Sequence, residues 1–423
     1  MQIIALIIVI LSIINLIRIT VFLIGSDIYN LVAEFKSRRR NRIYFSLFSV
    51  VIPAYNEEQN IIKCVESVFE NKYPKDKLQV IIVDDGSKDA TLKLIGRYKQ
   101  DHPAYHINIV SQKNSGKAQA LNNGMKNYAK GELVMCLDSD SFLEENAIAN
   151  AVGYFEDDKI MAVASNVKIT NSSGLLNLIQ QFEYIVSYQM KRAQTLFNIE
   201  YIIGGIGSTF RKNFLEKINY YDINTVTEDI DLTLKILHEG NKRNRVVYGA
   251  DIVSYTQSVL SISELIKQRF RWKWGRYQTF LKNRQLFFAK DNIYTRGLTW
   301  FYLPYALFSD ALFLLEPLVV SFILFITFYY HDVFTLLSAV SVITFYLIMN
   351  VLSEDTISWK RKTQLIIIAP FMYFFFYILS MVEYIALIKS IINLPDLKKS
   401  LSSNKSGWVP VRRFKYFTRP DLH

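Results

Sequence analysis

Asp138 and Asp140 are the first candidates for chemistry. They end the run Glu132-Leu133-Val134-Met135-Cys136-Leu137-Asp138-Ser139-Asp140. In an extended chain, residues i and i+2 project the same way, so the two carboxylates can converge on one cation. A hard divalent ion held by one or two carboxylates leaves positions for phosphate oxygens. The same residues also suit a strand-to-turn junction, where Asp and Ser are common.

Three further polar clusters follow apolar runs. Pro53-Ala54-Tyr55-Asn56-Glu57 comes after Val50-Val51-Ile52. Asp84-Asp85-Gly86-Ser87 comes after Val80-Ile81-Ile82-Val83. Its aspartates could accept hydrogen bonds from a ribose or base, or simply make a turn and helix cap. Asn114-Ser115-Gly116-Lys117-Ala118 follows Ile107–Val110. It offers a close backbone approach and an ammonium for phosphate, or a solvated loop lysine. Each signal is ordinary alone. Together they describe one crevice lined by carboxylates, a lysine and amides.

Two downstream clusters add reactive groups. Thr227-Glu228-Asp229 precedes a helical stripe of Ile230, Leu234 and Leu237. Thr227 can cap that helix, with the acids at its positive end. The functional alternative makes Asp229 a general base. Ser261 to Phe288 reads as an amphipathic helical region, opened by the capping box Ser261-Ile262-Ser263-Glu264. Phe270, Trp274, Tyr277 and Leu281 share one face, with Lys267, Arg269, Arg271, Lys273 and Arg276 around it. A membrane-surface helix explains the stripe. It does not explain the density of donors in Gln268-Arg269-Phe270-Arg271-Trp272.

These groups need a scaffold. Short apolar runs alternate with helical segments at 57–70 and 117–128, which predicts an α/β fold with a largely parallel sheet. The runs lack period-two alternation, as in strands buried on both faces. Ligands of such sheets lie at the carboxyl ends of the strands, where all four clusters fall. From Ala147 to Tyr255 the pattern stays mixed. It includes a long helix near 174–197 and the loop Gly204-Gly205-Ile206-Gly207.

The 423 residues are 51% hydrophobic and 21% charged, with a net charge of +11. That mixture predicts a polar domain joined to membrane segments. The basic balance suits an anionic membrane surface or an anionic substrate. No RNA-binding motif or zinc-finger spacing supports a nucleic-acid partner. Two cysteines, Cys64 and Cys136, make no disulfide framework and suit a reducing cytosolic face. Residues 3–24 are long enough to span a bilayer. The following Lys36, Arg38, Arg39, Arg40 and Arg42 place that end in the cytoplasm and the N-terminus outside. Further spans are expected at 311–330, 333–352 and 365–389, with a short interfacial helix over Trp300–Asp310. Lys360, Arg361 and Lys362 favour a cytoplasmic loop at 353–363. The tail from Asn393 carries a net +5, which also favours the cytoplasm. One span cannot satisfy both, so either Pro370 breaks the last run or Trp300–Tyr330 dips twice. The expected divisions are a transmembrane helix at 1–25, a basic cytoplasmic linker at 26–48 and the α/β domain at 49–260. Amphipathic interface helices at 261–298, transmembrane helices at 299–392 and a basic tail at 393–423 complete the chain.

Pro53–Glu57, Asp84–Ser87, Gly116–Ala118, Asp138–Asp140, Thr227–Asp229 and Gln268–Trp272 occur in the order of the membrane-embedded processive family 2 glycosyltransferases. The chain resembles this family over about 50–290, and is most similar to its bacterial poly-N-acetylglucosamine synthases. Thr-Glu-Asp and Gln-Arg-x-Arg-Trp are the specific motifs. Asp138-Ser139-Asp140 stands where Asp-Ala-Asp is usual, and both carboxylates are kept. The tail Gly407-Trp408-Val409-Pro410 with Arg412 loosely matches that group.

The resemblance implies a GT-A-like nucleotide-sugar domain, cytoplasmic and flanked by transmembrane helices, in a multi-pass protein of the cell membrane. Tyr55 and Glu57, with Asp84 or Asp85, would hold uracil and ribose. Lys117 and Asp138 would bind the nucleotide, and Asp140 would hold Mg²⁺ or Mn²⁺ at the diphosphate. Asp229 would deprotonate the acceptor. Gln268, Arg269 and Arg271 would hold the donor diphosphate, while Glu228 and Trp272 would meet the acceptor sugar. The implied partners are a UDP-sugar, a growing polysaccharide, membrane lipids and a small membrane accessory subunit. The implied reaction is inverting, processive polymerisation of UDP-N-acetylglucosamine into a β-1,6-linked polymer, with export. Alternatives are a hyaluronan-, chitin- or cellulose-like synthase, a nonprocessive lipid glycosyltransferase, and a nucleotide-sugar sensor without activity.

Overall fold

The computed structural model describes residues 2–37, 47–170, 174–239, 244–290, 295–331 and 333–402. The N-terminal apolar stretch forms one helix, α1 (Gln2–Ser37). Within it, Ile13–Ala33 is long and apolar enough to cross a membrane. The helix continues through the expected linker because its last turns are gripped by the domain. Ser26 donates to Gln189 at 2.7 Å, and Tyr29 donates to the Tyr248 carbonyl at 2.6 Å. Most of the basic cluster, residues 38–42, lies outside the described residues.

The next apolar runs become the expected strands. β1 (Phe48–Ala54) leads through α2 (Ile61–Phe69) to β2 (Leu78–Asp84). α3 (Thr91–Asp101) leads to β3 (His106–Ser111), and α4 (Lys117–Asn123) to β4 (Leu133–Cys136). α2 starts later than the predicted 57–70. The preceding turn is held from outside, by the Glu57 N–H on Thr91 Oγ1 at 2.8 Å. α4 is also shorter than the predicted 117–128, and a wider turn, Gly124–Tyr128, continues it. A side chain at Gly124 would run into Val51 of β1, so the chain lies close on the sheet there.

The chain then adds β5 (Phe142–Leu143), α5 (Ala147–Tyr154), β6 (Ile160–Ile169), α6 (Leu175–Phe197), β7 (Ser208–Arg211) and α7 (Lys212–Lys217). α8 (Glu228–Glu239) and β8 (Arg245–Thr256) complete one sheet of order β3-β2-β1-β4-β7-β6-β8-β5. β3, β2, β1 and β4 are mutually parallel, while β7 runs antiparallel between β4 and β6. The mixed α/β sheet agrees with the sequence pattern. β1, β2 and β4 are buried throughout, so the two apolar cores lie on opposite sheet faces. Both cysteines are free and buried.

Beyond the sheet come α9 (Ile262–Lys282), α10 (Leu303–Phe313), α11 (Glu316–Tyr329), α12 (Val333–Leu352), α13 (Trp359–Ile392) and α14 (Leu397–Ser402). The Ser261 hydroxyl accepts the Glu264 N–H at 3.2 Å, as the capping box requires. Trp359–Ile392 is a second stretch long and apolar enough to span a bilayer, and Pro370 does not break it. Its neighbours Ala369 and Met372 are buried with Ile179 and Phe182 of α6, which supports the helix at the proline. The break falls instead between α10 and α11. Gly297–Phe313 and Glu316–Tyr329 bend by 50°, as a broken span or a re-entrant loop would. α12 covers the expected 333–352. The tail with Trp408 and Pro410 lies outside the described residues.

Candidate active site

Parallel pairing brings the first four motifs to one edge of the sheet. Ala54 pairs with Asp84, Asp84 with Ser111, and Val51 with Cys136. The residues that follow therefore leave the sheet side by side. Gly86 has φ +79°, and a Cβ there would approach the Asn114 nitrogen to 3.0 Å. Only glycine gives that turn without strain. Asp85 is fully buried. Its carboxylate accepts from Gln112 Nε2 at 2.8 Å and from the N–H groups of Ser115 and Gly116, both at 2.9 Å. Asp85 thus shapes the loop that presents Lys117. Asp84 accepts at longer range, from the Ser87 N–H at 3.3 Å and the Ser111 hydroxyl at 3.4 Å. It is the less committed of the two expected nucleotide contacts. Tyr55 and Glu57 stand half-buried at the end of β1.

Lys117 is the centre of charge. Its ammonium lies 2.6 Å from Asp138 and 3.5 Å from Glu228. Burial alone would lower its pKa, but Asp138 and Glu228 outweigh it and hold it above the usual lysine value. The glycine loop closes over it, because β7 pairs Ser208 with Cys136 and so delivers residues 204–207 beside Asp138. A methyl group at Gly205 would sit 3.1 Å from the ammonium. Asp140 is buried and accepts from Ser141 Oγ at 3.2 Å.

Asp229 enters from the first turn of α8. The Thr233 hydroxyl donates to the Asp229 carbonyl at 2.8 Å and accepts the Ile203 N–H at 3.0 Å. That bridge fixes the helix start against the glycine loop. Burial, then Glu228, raises the Asp229 pKa to about 6, while Lys117 and Arg271 oppose the rise. A carboxylate near pH 6 suits proton abstraction close to neutrality.

α9 supplies the last groups. Gly275 packs against Thr227, where any side chain would overlap the threonine. Gln278 accepts the Val226 N–H at 3.1 Å, and Asn283 donates to Asp231 at 3.1 Å. Gln268 and Arg271 extend this same face by helical spacing. Arg271 lies close enough to lower the Asp229 pKa, and Gln268 Oε1 is buried with no hydrogen-bond partner among the described residues. Gly275→Ala should push α9 away from α8, at about 1–3 kcal/mol. Thermal unfolding of the purified protein should show the loss, and transfer activity should fall more than stability.

Arg269, expected at the donor diphosphate, is held by protein groups. It is 3% exposed, and Nη2 bonds Glu183 Oε2 of α6 at 2.7 Å. Its Nε is 3.3 Å from Glu383 Oε1 of α13. It sits on a different face from Gly275 and is engaged by protein carboxylates. Two further basic residues of α9 are likewise engaged by protein, although Lys267 is exposed. Lys273 and Arg276 pair with Asp310 of α10. Sequence reasoning missed Glu183, Glu383 and Asp310, although an acid inside an apolar helical run is itself a signal.

Among the described residues, no three His, Cys, Asp or Glu side chains form a metal cage. Asp138 and Asp140, two residues apart just beyond β4, offer oxygen donors only. Such a set fits a hard divalent ion that completes its shell with phosphate and water.

A mixed sheet with acidic and basic groups converging at its strand ends defines a GT-A-like domain. Residues 49–218 match the family model described as "Glycosyl transferase family 2", so this segment is a family 2 glycosyl transferase domain. The chain is 33% identical over 235 residues to a poly-beta-1,6-N-acetyl-D-glucosamine synthase of Staphylococcus aureus, covering 55% of each chain. It is 32% identical over 237 residues to the Staphylococcus epidermidis protein of that name, covering 56% of each. The chain thus spans about half the length of the curated relatives it matches. A solved mannosyltransferase of Pyrobaculum calidifontis, in complex with GDP-Man and Mn²⁺, shares the fold at TM-score 0.56 and 18% identity. That likeness covers 89% of this chain and 96% of that one.

Proposed function

We propose that this protein is a processive, inverting β-glycosyltransferase that polymerises UDP-N-acetylglucosamine into β-1,6-linked poly-N-acetylglucosamine and passes the polymer across the membrane. One observation carries the reading: Lys117 and Asp138 at the strand ends share one charged cluster with Asp229 of α8 and Arg271 of α9, and α9 is tied to the membrane-length helix α13 through Arg269 and Glu383. The names of the staphylococcal relatives support the donor and linkage.

The acceptor hydroxyl attacks the anomeric carbon, its proton passes to Asp229, and UDP leaves from the opposite face. A single displacement inverts the centre, so an α-linked donor gives a β-linkage. Lys117 and Arg271 meet the negative charge that grows on the diphosphate. Gln268 would donate or accept at the donor, and Glu228 and Trp272 would face the acceptor. Asp140 would hold Mg²⁺ or Mn²⁺, which would supply further positive charge to the leaving group, and Asp138 would meet the nucleotide. Tyr55, Glu57 and Asp84 would hold the nucleoside. Membrane lipids surround the apolar helices, the domain faces the cytoplasm, and a small membrane subunit completes the partners.

Membranes bearing the protein should convert UDP-N-acetylglucosamine into long chains cleaved by a β-1,6-specific glycosidase. Chelation with EDTA should abolish incorporation, and Mn²⁺ or Mg²⁺ should restore it. A single-sugar glycolipid product would replace this reading with a nonprocessive lipid glycosyltransferase. Consumption of a different UDP-sugar would overturn the donor assignment.

A further inference from the structure

Arg269 has a geometry that a donor ligand would not have. Its guanidinium carbon stands 4.3 Å from the centre of the Trp272 ring, within cation–π range. The same guanidinium is bonded to Glu183 on α6 and lies beside Glu383 on α13. Lys273, one turn further along α9, reaches the other Glu383 oxygen at 3.3 Å and Asp310 at 3.2 Å. Nearby, Leu265 of α9 and Val382 of α13 are buried together. One arginine therefore links three things: a helix of the α/β domain, a membrane-length helix and the Trp272 indole.

Only an arginine suits this position. Its planar group can stack on a ring while its edge serves two carboxylates. A lysine is a point charge and cannot stack and fork together. Burial makes the arrangement demanding, because a charge left without its partners in this setting is strongly unfavourable.

We propose that Arg269 is a positioning residue: it fixes the Trp272 indole for the acceptor sugar and couples that indole to the membrane helix α13 through Glu383. The inference rests on the reading of Trp272 as the acceptor-facing group.

The test is a double-mutant cycle in the full-length membrane protein, with Arg269→Lys, Trp272→Ala and the pair. Arg269→Lys should leave the KM for the UDP-sugar within about 2-fold and lower kcat by about 10-fold, with shorter chains. The double variant should be no slower than Trp272→Ala within about 2-fold, because the two residues act as a unit. A rise in donor KM of about 10-fold with kcat retained would make Arg269 a direct donor ligand and overturn the proposal. So would fully additive losses.

A second readout needs no activity. The emission of Trp272, taken as wild type minus Trp272→Phe, should become more accessible to acrylamide in Glu383→Gln and in Arg269→Lys. Unchanged quenching in both variants would refute the positioning role. Should the wild-type protein make no polymer, the processive reading fails, while the quenching result still decides the role of Arg269.

Discussion

Asp229→Asn should lower glycosyl transfer by about 10²–10⁴-fold, the range expected when a general base is removed. The amide is nearly isosteric and keeps the crevice filled, so UDP-sugar binding should survive. The pH dependence is the sharper test. With a pKa of about 6, the wild-type carboxylate is ionised and able to take a proton only above that value. Its kcat/KM should therefore fall as pH drops through 6, and the residual activity of the variant should lack that limb. Stability should move the other way. The folded-state pKa is raised above the ordinary 3.8, so the folded protein prefers the protonated acid. Stability is lost as pH rises from about 4 to 6, and the loss is complete above 6. Removing the charge should return part of it at pH 7, on the order of 1–3 kcal/mol. A variant that unfolds at higher temperature yet transfers poorly would show a carboxylate kept for chemistry at a cost in stability.

How much of this was legible beforehand depends on the kind of signal. The strands at Val50, Val80, Ile107 and Leu133 were readable because doubly buried strands are short apolar runs with turn residues at their ends. Parallel pairing then puts their ends together, so the crevice was legible once the fold class was. Helix limits were less so. The ends of α2 and α4 are set by Thr91 and by the close approach at Gly124, which are tertiary facts. The division of labour in Gln268–Trp272 was hidden for a similar reason. Sequence shows five consecutive residues, but not that Gly275 turns one face to Asp229 while Arg269 faces Glu183 and Glu383. The choice between Asp84 and Asp85 also needed structure, because only the loop hydrogen bonds separate two adjacent carboxylates. Glu354 carried no signal at all. It lies in a short loop and looks like a solvated acid.

Glu354 is in fact fully buried, and it is where the α/β domain meets the apolar helices. Lys168 of β6 lies 2.7 Å from one of its oxygens, and Arg192 of α6 lies 3.7 Å from the other. Arg192 also donates to Asn30 of α1 at 2.7 Å and to the Ser353 carbonyl at 3.0 Å. The Thr356 hydroxyl adds a bond to Glu354 at 2.6 Å. Sheet, α6, α1 and the α12–α13 loop thus share one set of charges. Glu354→Ala should destabilise the protein by about 3–5 kcal/mol, because it strands two buried cations. Burial opposes ionisation of Glu354, but Lys168 and Arg192 prevail and hold its pKa at about 2. The folded-state value is thus depressed below the ordinary 4.5. Its stabilising effect is present above pH 4.5 and is lost as pH falls toward 2. Acid unfolding monitored in detergent should show a transition in that window, and Glu354→Gln should flatten it. The same variant separates anchoring from chemistry, since Asp229 lies in a different cluster. Its loss of activity should follow the fraction unfolded, with the limb near pH 6 unmoved. A shifted limb would mean that the mounting of the domain on its membrane helices tunes the base itself.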